Sequence, residues 1–345
     1  MSQDSNPAAE PAARATIRPV KERVERDLIA QPGVVGVDIA EKETGGQPTG
    51  ELSIVVFVEK KLASSRVPTS QQIPEEIDGI KTDVQELVIE LQAGHAVRLE
   101  GEYPLVDPAA YPTLSGGIGI GPLRSVFLSP PDVPAAGNYV FVGTLGAMVR
   151  DRASGATMAL TNFHVACVNN TWSVGDRMVQ PSLVDGGTGA GQFGSLTRAV
   201  LDASTDGAVI TVDAGKTWSA SVTGIGDVNG QAAATIGMAV QKRGRTTEHT
   251  FGTVVSTDFS VSIDYGTGVG VVLLTHQVRI QTDTSRSTGS PTTVTPGRWW
   301  WTPTGTWWGC CSPVRTTAPG RSRTRSRPRS TTWESICCWL RASPS

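Results

Sequence analysis

The hydrophobic pattern of residues 18–103 predicts a small α+β unit. Apolar side chains in 21–31 recur at the spacing of an amphipathic helix, and a Pro-Gly pair ends the pattern. Two runs rich in β-branched residues, 34–39 and 52–58, predict strands joined through a Gly-Gly turn. A looser alternation over 80–91 predicts one more strand. The unit has the size of an ordinary domain of about 100 residues.

The pattern changes over 143–280 to many short β-branched segments separated by Gly, Asn and Asp. Close, regular spacing of short strands predicts a β-sandwich or β-barrel. A Gly/Pro-rich stretch, 104–128, leads into this second domain, whose predicted limits are 104–283. The polar, Ala/Pro-rich residues 1–17 are predicted to be disordered. We therefore expect a mainly β protein with a leading α+β domain and a tail at 284–345.

The tail, residues 284–345, has a composition unlike that of the rest of the chain. It contains nine arginines, no lysine and a single acidic residue, Glu334, although the whole chain has a net charge of −2. Seven of the nine tryptophans and four of the five cysteines also lie there. Natural basic tails mix lysine with arginine, so this bias needs a separate explanation.

The remaining composition is that of a globular protein. A chain of 345 residues with 39% hydrophobic residues is long enough for two domains with their own cores. Outside the tail the only cysteine is Cys167, so disulfides are not expected to hold the fold. The N-terminus lacks the apolar stretch of a secretory signal, and no run reaches about 18 apolar residues. We expect a cytoplasmic protein without membrane association, cofactor or metal.

His164 and Asp206 are the candidate catalytic residues. His164 follows an apolar strand at a turn, and Asp206 stands where a polar loop enters an apolar strand. Serine protease chemistry needs a histidine base and a buried carboxylate that fixes its tautomer. Taken singly, such a histidine is more often structural, and such an aspartate more often a turn residue. His95, His249 and His276 have no comparable context and are interpreted as structural.

Several motifs occur in the order found in a bacterial trypsin-like peptidase family, which the chain resembles over about residues 20–280. The second domain carries Gly-Thr-Leu-Gly-Ala-Met-Val-Arg-Asp (143–151), Leu-Thr-Asn-Phe-His-Val (160–165), Gly-Asp-Arg-Met-Val-Gln-Pro (175–181), Asp-Gly-Ala-Val-Ile (206–210) and Val-Gln-Lys-Arg-Gly-Arg-Thr-Thr (240–247). Segments 50–61 and 73–79 resemble the leader domain of that family. The resemblance implies a trypsin-like double β-barrel and an Asp-His-Ser triad, with His164 as base and Asp206 as the orienting acid.

The family's nucleophile segment, Gly-Asp-Ser-Gly, is missing from this chain. A shift of the reading frame explains both its absence and the odd tail. Because tryptophan has one codon, TGG, reading residues 299–302 from one base earlier forces Val-Val-Asp at the last three positions. The same shift permits Gly-Asp-Ser-Gly at 293–297, with the serine codon straddling Thr295 and Pro296. We predict a frameshift between about residues 281 and 291.

Two further segments decode in the same way. Residues 307–312 permit Val-Val-Gly-Leu-Leu-Phe, and 333–338 permit Gly-Ile-Asp-Leu-Leu, both of which are ordinary strand sequences.

Without its last strands the second barrel is expected to be incomplete, with an exposed edge at 269–280 and a tail of coil. Four serines near the break, Ser285, Ser287, Ser290 and Ser312, lack the Gly-X-Ser-Gly turn of a nucleophile and are interpreted as loop residues.

The sequence thus predicts a serine endopeptidase by family, acting on a peptide or protein substrate, whose nucleophile is absent from this polypeptide. One alternative is a catalytically inactive protease fold that serves as a binding module. A second is binding of nucleic acid through the arginine-rich residues 315–329 and the tryptophans. Such binding is expected to be non-specific and to collapse with salt. The leader could aid folding, regulate or mediate oligomerisation, and the oligomeric state is left open.

Overall fold

The computed structural model describes residues 9–87, 96–98, 107–286, 298–301, 306–315 and 333–338. In this part of the chain the fold is mainly β, with a helical N-terminal segment, as the sequence predicted. The strands form one large sheet, a seven-stranded sheet and two sheets of three strands. Among the described residues, no helix is both long and apolar enough to cross a membrane.

The N-terminal unit consists of a helix packed on a sheet. Its elements are α1 (Ala9–Ile29), β1 (Val34–Thr44), β2 (Gln47–Val58), the 3-10 turns Ser64–Arg66 and Thr69–Gln71, β3 (Glu76–Ile77) and β4 (Ile80–Glu86). Strands β1 and β2 form an antiparallel hairpin, and β4 runs parallel to β2. Apolar side chains from the helix and the strands close a core in which Ile39, Ile54 and Val56 are fully buried. The predicted α+β character of this unit is confirmed.

The first half of the second unit is built from short strands. They are β5 (Val97–Arg98), β6 (Thr113–Gly116), β7 (Gly119–Pro122), β8 (Val126–Leu128), β9 (Gly137–Val140), β10 (Gly143–Thr144), β11 (Ala147–Arg150), β12 (Thr157–Thr161), β13 (Arg177–Val179), β14 (Gln192–Leu201) and β15 (Asp206–Val212), with the helical turn α2 (Phe163–Ala166) after β12. Seven of these strands form one sheet in the order β10-β7-β13-β14-β15-β12-β11. Its buried side chains include Ile120, Met178 and Ile210.

The second half contributes longer strands to the large sheet. Its elements are β16 (Thr217–Val222), β17 (Gly226–Asp227), β18 (Gly230–Gln231), β19 (Ala239–Gly244), β20 (Glu248–Asp264), β21 (Val271–Asp283), β22 (Arg298–Trp301), β23 (Thr306–Arg315) and β24 (Trp333–Cys338). The 11-stranded sheet follows the order β19-β22-β23-β24-β21-β20-β1-β2-β4-β3, with β18 beside β23. Strands from the N-terminal unit and from the second half therefore belong to one sheet.

The junction between the two units is a backbone contact between β1 and β20. Gly36 pairs with Val261 and Val37 with Ser260 in antiparallel register. A Cβ atom at Gly36 would lie 2.9 Å from the Ser260 carbonyl oxygen and 3.0 Å from the Phe259 ring. Only glycine allows the two strands to approach this closely.

Charged side chains of α1 are buried against β20. Arg14, 4% exposed, lies 3.5 Å from the Asp258 carboxylate. Lys21, 2% exposed, donates to Glu25 and to the Ser260 hydroxyl, which in turn donates to Glu25 at 2.6 Å. Charges are seldom buried unless they are paired and hydrogen-bonded, so these groups fix one orientation of the helix on the sheet.

Asp38 makes a second buried polar contact, between β1 and the strands β20 and β21. Its carboxylate is fully buried and accepts from the Ser256 hydroxyl and, at 2.9 Å, from Arg279 Nε. The Arg279 guanidinium also lies 5.4 Å from the centre of the Phe57 ring. A carboxylate from one unit thus neutralises a guanidinium from the other.

The N-terminal helix is longer than predicted. The sequence indicated helix over 21–31 and disorder over 1–17, but α1 begins at Ala9, so the disorder prediction is wrong for residues 9–17. Two interactions that the local pattern does not reveal explain the extension. Ile17 enters the core of the N-terminal unit, and Arg14 reaches the second unit. Residues 1–8 lie outside the described part of the chain.

Three segments of the predicted coil tail are instead extended and paired. Strand β24 pairs with β21 over residues 278–281. Strand β23 lies between β24 and β22. The edge that was expected to be exposed is therefore partly covered. Backbone N–H and C=O groups pair whatever side chains they carry, and an open strand edge offers a template for such pairing. The tail residues 287–297, 302–305, 316–332 and 339–345 lie outside the described part.

Replacement of Asp38 by alanine is expected to lower the free energy of unfolding by about 3–5 kcal/mol, because it leaves the Arg279 guanidinium without this buried carboxylate. Urea denaturation followed by circular dichroism measures the change. Glu51→Ala is the control, since the Glu51–Lys81 pair is about half exposed and exposed pairs contribute little. Equal midpoints for both variants would show that the buried contact does not stabilise the junction.

Candidate functional site

His164 stands at a buried turn that follows β12. The strand ends at Thr161, and residues 163–166 form the helical turn α2, in which the Ala166 N–H donates to the Asn162 carbonyl at 3.1 Å. Every residue of this turn is buried. The His164 side chain is 3% exposed, so the packing around the turn fixes its direction.

Asp206 reaches the same place as the first residue of β15. Strands β12 and β15 are antiparallel neighbours in which Thr161 pairs with Ala208. This register sets the beginning of β15 beside the end of β12, although 42 residues separate the two side chains in sequence. The Asn162 side-chain amide also donates to the Asp206 carbonyl at 3.0 Å and ties the two ends together.

The two candidate residues contact each other directly. His164 Nδ1 lies 2.5 Å from Asp206 Oδ2, and the His164 backbone N–H donates to Asp206 Oδ1 at 3.3 Å. The Tyr265 hydroxyl donates to Oδ2 at 3.0 Å. Complete burial alone pushes the pKa of Asp206 upward, but the charge and hydrogen bond of His164, with the Tyr265 hydroxyl, lower it below its usual range. An ionised Asp206 accepts the proton on Nδ1 and thereby fixes the tautomer of His164.

The second ring nitrogen, Nε2 of His164, is buried and accepts no hydrogen bond from any described residue. In an imidazole whose proton is on Nδ1, Nε2 carries the lone pair. It is the atom that removes a proton from a hydroxyl in triad chemistry. Residues 293–297, where the predicted frameshift would place the missing serine, lie outside the described residues.

The other two histidines that the structure describes, His249 and His276, do not contact this pair. His249 stacks on Phe251 and contacts Gln241 through Nε2, and its pKa is lowered by burial and by neighbouring cations. His276 is exposed and lies 3.2 Å from Glu22. His95 is outside the described part of the chain. Both described rings thus have partners away from Asp206, which agrees with a structural interpretation.

The serines near the predicted frameshift have no contact with His164 among the described residues. Ser285 is exposed and donates its hydroxyl to Asp283 Oδ1 at 2.6 Å. Ser312 belongs to β23, of which the backbone is described. Ser287 and Ser290 lie outside the described residues. Ser285 is therefore a turn residue, as predicted.

Tyr265 is the member of the site that sequence reasoning missed. It is 59 residues from Asp206 and lies beyond the last residue of β20, in a Gly-rich stretch that resembles any other turn. A tyrosine at the end of an apolar run is usually a core residue. The one available signal is its place beside three glycines at the tip of a hairpin, and that pattern does not specify a carboxylate partner.

The structural neighbours of this chain are bacterial serine proteases of the trypsin and chymotrypsin fold. Nocardiopsis protease (NAPase) aligns with 65% of this chain and 90% of its own, at 19% identity and a TM-score of 0.38. Thermobifida fusca protease A aligns with 66% and 91%, at 19% identity and a TM-score of 0.37. A glutamic acid specific serine protease aligns with 66% and 100%, at 17% identity and a TM-score of 0.38.

These values carry no activity, substrate or residue role over to this chain. No protein-family model matches it, and no curated protein matches it. The chemistry of the site therefore rests on its own geometry.

The stability of the chain is expected to depend on the ionisation of Asp206. Its folded-state pKa lies below the ordinary value of 3.8, so its contribution to the free energy of unfolding is present above that pH. The contribution is lost as the pH falls through the folded-state pKa. Asp206→Asn should be less stable than the unaltered chain at neutral pH, with a difference that shrinks in acid.

Thermal midpoints measured from about pH 7 to about pH 2 provide the test. Asp27→Asn is the control, because Asp27 is an exposed carboxyl of α1. A gap between the Asp206→Asn variant and the unaltered chain that stays constant with pH would contradict ionisation of Asp206 in the folded state.

Proposed function

We propose that this protein is a trypsin-like serine endopeptidase in which His164 is the general base and Asp206 orients it. We further propose that the polypeptide as given is inactive, because its nucleophile segment is replaced by an out-of-frame sequence. The observation that carries the proposal is the buried His164–Asp206 pair, with a contact of 2.5 Å at Nδ1 and Nε2 free among the described residues. Buried polar atoms normally have a hydrogen-bond partner, so a buried ring nitrogen without one is unusual for a histidine with a purely structural role.

The chemistry follows from the protonation states. His164 Nε2 accepts the proton of a serine hydroxyl as the oxygen attacks a peptide carbonyl carbon, and the imidazolium that forms is stabilised by the Asp206 carboxylate. The same proton then passes to the leaving amine as the peptide bond breaks, and an acyl-enzyme remains. Water, activated in the same way, releases the acid product. Backbone N–H groups beside the serine stabilise the oxyanion, and they belong to the segment that this chain lacks.

The strands of the tail support a shifted reading frame. Strands β22, β23 and β24 overlap the three segments that decode one base earlier as sequences rich in valine, leucine or isoleucine. Codons with T at the second position encode apolar residues such as valine and leucine. When the frame starts one base later, that T becomes the first base of the new codon, and the codons of tryptophan and cysteine both begin with T. The hydrophobic pattern of the original strands thus survives the shift. Aromatic residues also favour strands.

A non-catalytic protease fold that binds peptides is the second candidate. The absence of a Gly-Asp-Ser-Gly segment favours it, since a binding module has no use for the nucleophile. The two candidates differ in what the gene encodes. An endopeptidase requires the serine in the frame one base earlier, whereas a binding module needs no such frame.

Sequencing of the DNA across codons 275–300 gives the first test. The endopeptidase proposal requires Gly-Asp-Ser-Gly one base earlier, and any other sequence there would refute it. The frame-restored protein should then react with a serine-directed fluorophosphonate, which intact-mass spectrometry detects as one adduct. The chain as given should not react.

Substitutions in the frame-restored protein separate catalysis from non-specific labelling. Asp206→Asn is expected to lower kcat by about 10,000-fold, because the amide holds the wrong imidazole tautomer. His276→Asn is the matched control, since it alters an exposed histidine paired with Glu22, and kcat should be unchanged. Equal kcat values for the Asp206→Asn variant and the restored protein would exclude the assigned role of Asp206.

A further inference from the structure

Tyr265 lies on the hairpin that connects β20 to β21. Its side chain is 7% exposed and belongs to the core that contains Phe259, Val261 and Leu274. The strand residues of this core belong to the large sheet, whereas Asp206 belongs to the seven-stranded sheet and His164 to the turn that follows its strand β12. Tyr265 thus extends from one sheet to the catalytic pair on the other.

The Tyr265 hydroxyl and the His164 ring share one acceptor atom. The hydroxyl donates to Asp206 Oδ2 at 3.0 Å, and His164 Nδ1 lies 2.5 Å from the same oxygen. The ring centres of His164 and Tyr265 are 6.3 Å apart, with planes tilted by 50°. A carboxylate oxygen has two lone-pair directions, so two donors at one oxygen restrict rotation of the carboxylate about its own axis.

The backbone around Tyr265 is held in place on both sides. Its N–H donates to the Gly270 carbonyl at 3.0 Å, and the Gly270 N–H donates back to the Gly266 carbonyl at 2.8 Å. The Thr267 N–H donates at 3.1 Å to Asp132 Oδ1, in the loop between β8 and β9. The tip of the hairpin is therefore tied to the first half of the second unit, and the tyrosine ring enters from a fixed backbone.

We propose that Tyr265 is a positioning residue for the His164–Asp206 pair. By donating to Oδ2, it holds the Asp206 carboxylate in the plane that suits His164 Nδ1 and so keeps Nε2 aimed at the position of the nucleophile. The proposal rests on the catalytic role of the pair. It adds that this geometry is set from the second half of the fold, and not only by the strands that carry the two residues.

The test compares two tyrosine variants of the full chain. Tyr265→Phe removes the hydroxyl and keeps the ring in its core. Tyr111→Phe is the matched control, because the Tyr111 hydroxyl also donates to a carboxylate, that of Asp107, at 2.9 Å. Thermal midpoints within a few degrees of the unaltered chain show that both variants fold, as expected for the loss of one hydrogen bond of about 1 kcal/mol.

Proton NMR of the hydrogen on His164 Nδ1 gives the decisive signature, with His164→Ala used to assign the resonance. Tyr265→Phe should shift and broaden this downfield resonance and hasten its exchange with water, because the carboxylate that accepts the proton is less restrained. Tyr111→Phe should leave it unchanged. A resonance with the same position and exchange rate in Tyr265→Phe would overturn the positioning role.

The NMR measurement does not require a nucleophile, so it tests the positioning role of Tyr265 even if the proposed endopeptidase function is wrong. In the frame-restored protein, Tyr265→Phe is expected to lower kcat by about tenfold while KM stays the same, since displacement of a catalytic group by about 1 Å can cost about 100-fold. Unchanged kcat would overturn the proposal even if the endopeptidase activity itself were established.

Discussion

Burial of the Asp206 carboxylate is the constraint on which the site depends. A carboxylate removed from water this completely must be compensated by charge and hydrogen bonds. The His164 ring, the His164 backbone N–H and the Tyr265 hydroxyl together provide this compensation. The imidazole ring is consequently held through Nδ1, and Nε2 is buried without a hydrogen-bond partner among the described residues. The need to compensate a buried carboxylate thus fixes the orientation of the ring.

Strand β20 connects this site to the rest of the molecule. It pairs with β1 at Ser260 and Val261, and its last residue leads into Tyr265. The buried charges of α1 contact the same strand at Asp258 and Ser260, and the buried carboxylate of Asp38 in β1 contacts it at Ser256. The N-terminal unit therefore shares the large sheet with the strand that leads to Tyr265, whose hydroxyl contacts the His164–Asp206 pair.

The sequence predicted those features that depend on local pattern. The strand, the turn with His164 and the strand that begins with Asp206 each have a clear local signature, and the structure brings the two side chains into contact. Their catalytic role stays a prediction. The approach of Gly36 to β20 and the hydrogen bond of Tyr265 could not be predicted, since both depend on how distant strands align. Helix α1 extends to Ala9 for the same reason.

A crystal structure of the frame-restored protein tests the central claim most directly. The claim is that His164 is already fixed by Asp206 and that the chain lacks the nucleophile segment, whose serine is encoded across the codons of Thr295 and Pro296. We expect the Oγ atom of that serine within about 3.2 Å of His164 Nε2, with the contact between His164 Nδ1 and Asp206 retained. A serine far from Nε2, or an imidazole ring turned away from Asp206, would contradict it.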